Sequence, residues 1–443
     1  MPPTTKSHLK SAPPRRRWRG AAIATAAVVA LAAGYATANA ATAENEEALS
    51  TTGVPAVVAA ATAFLDTLSD DQQAEVLLDF SSANAVAWSD LPCGDTCRPG
   101  IEFGSLTEAQ LAAAEAVLAA AMGTGEGLGF DQASQIMRAD DVLAAGGSGQ
   151  DSAGGTPTAT PSTSSSARPS TSASTRVDAA SEGPGGKASS TPTRTATSNP
   201  TGNPSNPTGR PSSRPSSSPT STPSTDVGYG SDFYYLAFLG TPSETGTWQL
   251  HFGGDHLAVN LTYDDGAVTS ASPYLIGAEP ASFTTDDTTY QPLEGMRAAM
   301  AALTGGLTET QVDEAKLDES LDDVLLGSGE DGEFPATKEG IAVGELSTDQ
   351  QKLVLAAIGQ WVAVVDDASA EQLLETYEAE LDETYLAYSG GVDVDTHGDY
   401  VRIDGPGVWI EFLTRNGTVD PEQISYQSVY RDHTRDYGGE FTF

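Results

Sequence analysis

Apolar residues recur at helical spacing four times in the first third of the chain. "VPAVVAAATAFLDTL", "DDQQAEVLLDF", "EAQLAAAEAVLAAAM" and "FDQASQIMRADDVLAA" each place them three or four apart, which predicts amphipathic helices. Strand-like runs dominate later: "FYYLAFLG", "TWQLHF", "HLAVNLTY" and "AVTSASPYLI", with a turn at "DDG". Helical spacing then returns in "GMRAAMAALTG", "ETQVDEAKL", "TDQQKLVLAAIGQWVAVV" and "SAEQLLETYEAEL". Strands close the chain in "TYLAYSG", "YVRIDG", "VWIEFL" and "ISYQSVYRD". The pattern predicts an α+β fold, with a helical first half packed on a second half of antiparallel strands and helices.

Four helix starts carry the same signature, Leu-[Ser/Thr]-x-x-Gln, at Leu68, Leu106, Leu307 and Leu346. It is a capping box: the hydroxyl accepts from the third helical N–H and the Gln reaches back to the cap. Between the halves, residues 147–226 are Ser, Thr, Pro and Gly with almost no large apolar side chains, the composition of a disordered insert. If the flanking halves form one domain, that insert is a long surface loop. Stretching a short loop to such a length costs only about 2.4 kcal/mol. The domain reading is therefore a leader at 1–40, a helical first half at 41–146, the insert at 147–226 and an α+β second half at 227–443.

Six basic residues precede an uncharged Ala/Val/Leu run at 20–43, and "ATANA" offers a small-x-small cleavage site after Ala40. This reads as an export signal of a secreted protein; the alternative is a retained membrane anchor formed by residues 20–43. Setting aside the leader's six basic residues and the insert's six basic and four acidic ones leaves 10 Lys/Arg against 57 Asp/Glu, a net of −47. Such a surface repels phosphate backbones and excludes nucleic acid as a partner. The two cysteines, Cys93 and Cys97, suit a disulfide in an exported protein, worth about 2 kcal/mol for so short a loop.

Several motifs, taken in order, make the chain resemble the family known as domain of unknown function 3500. They are "AATAFLDTL", "WSDLP", "RPGI", "YYLAFLGTPS", "WQLHFGGDHLAVN", "GAEP", "YVRIDGPGVWIEF" and "YRDHTRDYGG". The resemblance covers 51–443 apart from the insert. It implies one interrupted domain, because members run from the helical half into "YYLAFLG" with little between. It implies no activity. Where the family has Gly-His-His-Leu, this chain has Gly254-Asp255-His256-Leu257; where the family has His before the closing Arg-Asp pair, this chain has only His433, after it.

With five histidines in the chain, His251 and His256 beside Gly253-Gly254 attract attention. Period-two alternation puts Leu257, Val259 and Leu261 on one face and His256, Ala258 and Asn260 on the other. The Gly pair permits a bulge or a close backbone approach. His256 is the stronger functional candidate, and Glu279, Glu411 and His433 are its candidate partners. Imidazoles with carboxylates suit a divalent transition metal that activates water for hydrolysis. The opposing reading is a non-catalytic binding or structural surface protein, with Glu411 on a solvent face. Arg431 and Asp432 are read as a structural pair or an anion site. "DVDTHGDYVRID" imitates the start of a calcium loop, with Asp404 where a Glu belongs.

Overall fold

All four Leu-[Ser/Thr]-x-x-Gln motifs cap helices in the computed structural model, which describes residues 52–89, 93, 97–146 and 229–443. The leader, the apolar run at 20–43 and the insert lie outside the described residues. The first segment holds α1 (Val54–Leu65), α2 (Asp70–Val76), α3 (Ser82–Ala85), α4 (Glu108–Ala121) and α5 (Gly129–Ala144). The second holds α6 (Glu294–Gly305), α7 (Glu309–Ala315), α8 (Thr348–Val362) and α9 (Asp367–Ala379). Ser69, Thr107, Thr308 and Ser347 each accept from the N–H of the Gln three residues on, and each Gln returns to its cap. The boxes also meet in pairs: the Gln110 amide donates to Gln72 at 3.0 Å, and that of Gln350 to Gln311 at 2.8 Å.

The strands are β1 (Leu77–Leu78), β2 (Ile101–Glu102), β3 (Tyr235–Leu239), β4 (Trp248–Gly253), β5 (Leu257–Asp264), β6 (Ala267–Ser270) and β7 (Tyr274–Ala278). A small hairpin, β8 (Phe283–Thr285) and β9 (Thr288–Tyr290), stands apart from the main sheet. Then come β10 (Ile341–Ala342), β11 (Tyr385–Ser389), β12 (Tyr400–Asp404), β13 (Val408–Asn416) and β14 (Ile424–Asp432). The main sheet runs β1-β3-β4-β5-β7-β14-β13-β12-β11-β10, with β2 beside β3 and β6 beside β5. Leu77 and Leu78 leave the helix that their spacing suggests, because they pair in parallel with Phe238 and Leu239 of β3. That tertiary contact overrides local periodicity.

Both faces of the sheet are buried, so its central strands lack a solvent side. One face, with Leu250, Phe252, Val259, Ile276, Ile403 and Ile410, packs on the helices. The other, with Ala237, Ala258, Leu275, Leu413 and Val429, lies under Trp88, Leu317, Leu321, Val324 and Tyr437. Helices from before the insert and strands from after it share the first core. Glu411 is accordingly not solvent-facing: it is fully buried on the second face. The Gly253-Gly254 pair makes no bulge. Gly253 pairs regularly with Ala258, and residues 254–256 turn the hairpin, with the N–H of Gly254 donating to the carbonyl of Leu257 at 2.8 Å. The close approach is real, because a Cβ on Gly254 would collide with the Tyr234 ring.

One local arrangement occurs twice. Ile101 pairs with Leu236 and Ile341 with Leu386, each followed by a short 3-10 turn and a capped helix. Gly100 (φ +110°) and Gly340 (φ +93°) precede these bridges, and a Cβ on either would land on the carbonyl oxygen of Leu236 or Leu386. Gly100→Ala and Gly340→Ala should each cost about 2–3 kcal/mol in urea unfolding, from the left-handed backbone and the clash together. A loss under about 0.5 kcal/mol at either position would contradict this.

Candidate functional site

The second face of the sheet is lined with buried polar groups because it is covered by irregular chain rather than by helices. Irregular backbone needs hydrogen-bond partners that the sheet's side chains must supply. Glu411 supplies four. Its carboxylate accepts from the N–H groups of Leu325 (2.7 Å) and Leu326 (3.0 Å), the Tyr400 hydroxyl (2.8 Å) and the Trp409 indole (2.8 Å). Burial pushes its pKa up, while these donors oppose the rise. At the matching place in the other hairpin, His251 sits opposite Asn260 and its Nδ1 meets Asn260 Oδ1 at 2.7 Å. Burial pushes the His251 pKa down to about 4, so it is neutral and donates through Nδ1.

His256 stands apart from these groups. It ends the β4–β5 turn with an 18 % exposed side chain, and its Nδ1 lies 2.5 Å from Asp140 Oδ1. Asp140 is fully buried on α5, which turns Gln132, Ala133, Ile136, Met137, Asp140 and Leu143 inward by its amphipathic period. The other Asp140 oxygen accepts from the buried Tyr234 hydroxyl at 2.6 Å. Below the turn, Arg98 donates to the Gly254 carbonyl (2.8 Å) and to Asp255 (3.3 Å). Burial, together with Asp140, pushes the Asp255 carboxyl up to about 6 against the pull of Arg98. For His256, burial disfavours the charged form, but Asp140, Asp255 and Glu279 outweigh it and hold the imidazole above its ordinary value. Nε2 takes no hydrogen-bond partner among the described residues.

The imidazole borders a cavity of about 90 Å³ at the open end of β7 and β14, with room for a small group rather than an extended chain. Tyr229, Glu279, Arg415, Tyr426 and Gln427 also line it, and Tyr229 stacks on His256 with centroids 6.0 Å apart. Glu279 shares this cleft, but its carboxylate accepts from the N–H groups of Thr418 (2.8 Å), Val419 (2.5 Å) and Asp420 (3.3 Å).

The four expected metal ligands do not converge. His256 and Glu279 meet at the cleft, Glu411 lies under residues 325–326, and His433 contacts Asp404 at 3.1 Å and stacks on Phe334. Among the described residues no group of three or more His, Cys, Asp or Glu side chains is placed to hold a metal. Arg431 and Asp432 do not pair with one another, because neighbours in a strand face opposite ways. Arg431 binds Asp436 and Asp331 (both 2.7 Å), whereas Asp432 takes the Tyr377 hydroxyl and Arg435 (both 2.6 Å). In the calcium-like loop, Asp399 accepts from the N–H groups of Gly391, Asp395 and Thr396, while Asp404 pairs with Lys338. Cys93 and Cys97 form a disulfide, with Cα atoms 5.9 Å apart.

The sequence model of the family described as Protein of unknown function (DUF3500) matches residues 50–439. The chain belongs to that family. No curated protein and no solved structure matches it. In this DUF3500 member Asp255 forms a buried pair with Arg98 beside the cleft.

Asp140, Tyr234, Tyr229, Arg98 and Arg415 were not read as site residues from sequence. One signal was available for Asp140: in "QIMRADDVLAA" it falls four residues after Ile136 and three after Met137, on the apolar face. An acid there needs a partner. Glu411→Gln should cost about 3 kcal/mol in denaturant unfolding, because an amide NH2 would face donors in a buried site. A cost below about 1 kcal/mol would contradict the four-donor arrangement.

Proposed function

We propose that the protein is an exported enzyme whose cleft at His256 hydrolyses a small polar substrate, with His256 as the proton-transferring group. The observation that carries this is the 2.5 Å contact between a fully buried Asp140 and an imidazole that borders a cavity. A buried carboxylate fixes the ring's orientation and tautomer and stabilises its charged form, the arrangement that proton transfer by histidine requires. Held above its ordinary value, His256 suits a general acid that protonates a leaving oxygen or nitrogen. Arg415 lines the same cleft and supplies a positive charge for an anionic substrate group or for charge developing in the transition state. The basic leader supports export, and the Cys93–Cys97 disulfide accords with an oxidising compartment. Among the described residues no helix is long and apolar enough to cross a membrane.

Metal-assisted hydrolysis is less well supported, because both Glu279 oxygens already accept backbone N–H groups. That same engagement favours a second reading, a non-catalytic binding module, since it leaves His256 as the main group free for chemistry.

Release of nitrophenol from p-nitrophenyl acetate, phosphate and glucoside tests the proposal. His256→Gln and Asp140→Asn should each lower turnover by about 10²-fold. The wild-type rate should fall as pH rises past the elevated His256 value, and this limb should move to lower pH in Asp140→Asn. Absence of turnover with all three compounds would overturn the hydrolytic reading and leave the binding module.

The same group makes a stability prediction. A histidine with a raised folded-state pKa contributes stability that is complete below its unfolded value of about 6.5 and is lost as pH rises through the folded value. Melting curves from pH 6 upward should therefore show the wild type losing stability relative to His256→Gln. Parallel curves would contradict the raised value.

A further inference from the structure

The element order after the insert repeats the order around it. α1, the capped α2, β1, β2, a 3-10 turn, the capped α4, α5 and strands β3, β4, β5 and β7 match a second series. That series is α6, the capped α7, β10, a 3-10 turn, the capped α8, α9 and strands β11 to β14. The counterpart of β1 is reduced to a parallel bridge between Lys316 and Tyr388, matching Leu77 with Phe238. Register makes the equivalence residue by residue. His251 faces Asn260 as Arg402 faces Glu411, and Leu257 faces Ile276 as Val408 faces Asp432. At the centre Tyr274 pairs with Tyr430, its own counterpart, so a two-fold axis passes between β7 and β14.

This axis pairs His256 with Gly407, Gly277 with His433 and Glu279 with Arg435. The backbone bonds agree: Gly277 N–H donates to the His256 carbonyl at 2.7 Å, and His433 N–H to that of Gly407 at 2.8 Å. At Gly407 the space a side chain would need is taken. A Cβ there would lie 2.9 Å from Glu380 Oε2, 3.1 Å from an Arg435 guanidinium nitrogen and 3.2 Å from the Tyr377 ring. Arg435 is anchored to Asp432 at 2.6 Å, so a fixed, paired cation lies where the first copy has a titratable one. Ser425, which lines the cleft, has Thr269 as its counterpart. Against Thr269 lies Gly438 of the closing turn, and the N–H of neighbouring Tyr437 donates to the Ser272 carbonyl at 3.0 Å.

We infer that the protein is an internal duplication with a single ligand site: the first copy keeps its cleft open at His256, and in the second the chain's own C-terminal segment, led by Arg435, closes the equivalent place. The ligand half of this inference rests on the reading of the His256 cleft given above; the closure half does not.

A mutant cycle on the full secreted chain tests closure without any ligand. Gly407→His should lower the melting temperature by several degrees in the wild-type background, where Glu380 and Arg435 block it. It should cost much less in a Glu380→Ala/Arg435→Ala background, which removes the two nearest groups. Additive losses would overturn the equivalence. Should Gly407→His fail to fold, Gly407→Leu completes the same cycle. The ligand half is read separately, from imidazole NMR resonances during titration with inorganic phosphate. Phosphate should shift the His256 resonance, in the wild type and Arg435→Ala alike, and leave that of His433 in place. Equal shifts at both histidines would overturn the single-site assignment. No shift at either, with a non-additive cycle, would refute the reading of the cleft as an anion site while leaving the duplication standing.

Discussion

The antiparallel pairing of β7 with β14 is the constraint on which the rest of the structure depends. It joins the two strand sets at Tyr274 and Tyr430 into one sheet whose outer members are two-residue strands at either end. A sheet this wide leaves most of its strands in the middle, and each middle strand must be covered on both faces. Helices cover one side at little polar cost, since their backbone groups satisfy each other. The other side is covered by non-helical connections that contain Trp88, Leu321 and Val324, and their amide groups have to find acceptors on the sheet.

That need accounts for Glu411, and other interior carboxylates of this acidic chain hold loop backbone in the same way. Glu411 holds the 325–326 backbone, Glu279 the 418–420 backbone, Asp399 the 391–396 turn and Asp432 the N–H groups of Thr434 and Arg435. In each case one acidic side chain takes two or more backbone donors, so it stays hydrogen-bonded while ordering a loop that has no secondary structure of its own. Asp140 differs in kind. It accepts from a tyrosine and engages a histidine, both side chains, and the histidine is partly exposed to a cavity. Acidic residues thus hold loop backbone in four places and engage two side chains, a tyrosine and a histidine, in a fifth.

Duplication explains why two such sheet halves fit together and why they differ chemically. Equivalent strands pair across the axis with little adjustment of register, whereas side chains off the axis are free to diverge. His251 beside Asn260 is a neutral pair, and Arg402 opposite Glu411 sets a cation beside the staple that holds residues 325–326. The swap of histidine and glycine between positions 256/277 and 407/433 belongs to the same divergence.

Much of the fold was legible in the chain. Helical periodicity, the capping boxes at Ser69, Thr107, Thr308 and Ser347, and the apolar alternation of β5 are local signals. Their causes, i-to-i+3 hydrogen bonds and side-chain direction, lie within a few residues. The repeat is legible too, in "GIEFGSLT" at Gly100 and "GIAVGELS" at Gly340, which share Gly-Ile, a second Gly and the Leu-[Ser/Thr] cap. The site was not. His256 stood out by its rarity, but Asp140 reaches it from across the insert, 116 residues away, and Glu411 and His433, its expected companions, point elsewhere. Local sequence determined which segments would be helix or strand and which faces were apolar. Only tertiary structure decided which buried polar groups meet, because a hydrogen-bond partner is chosen by position in space, and residues so distant in the chain become neighbours only when the sheet closes around its central pair.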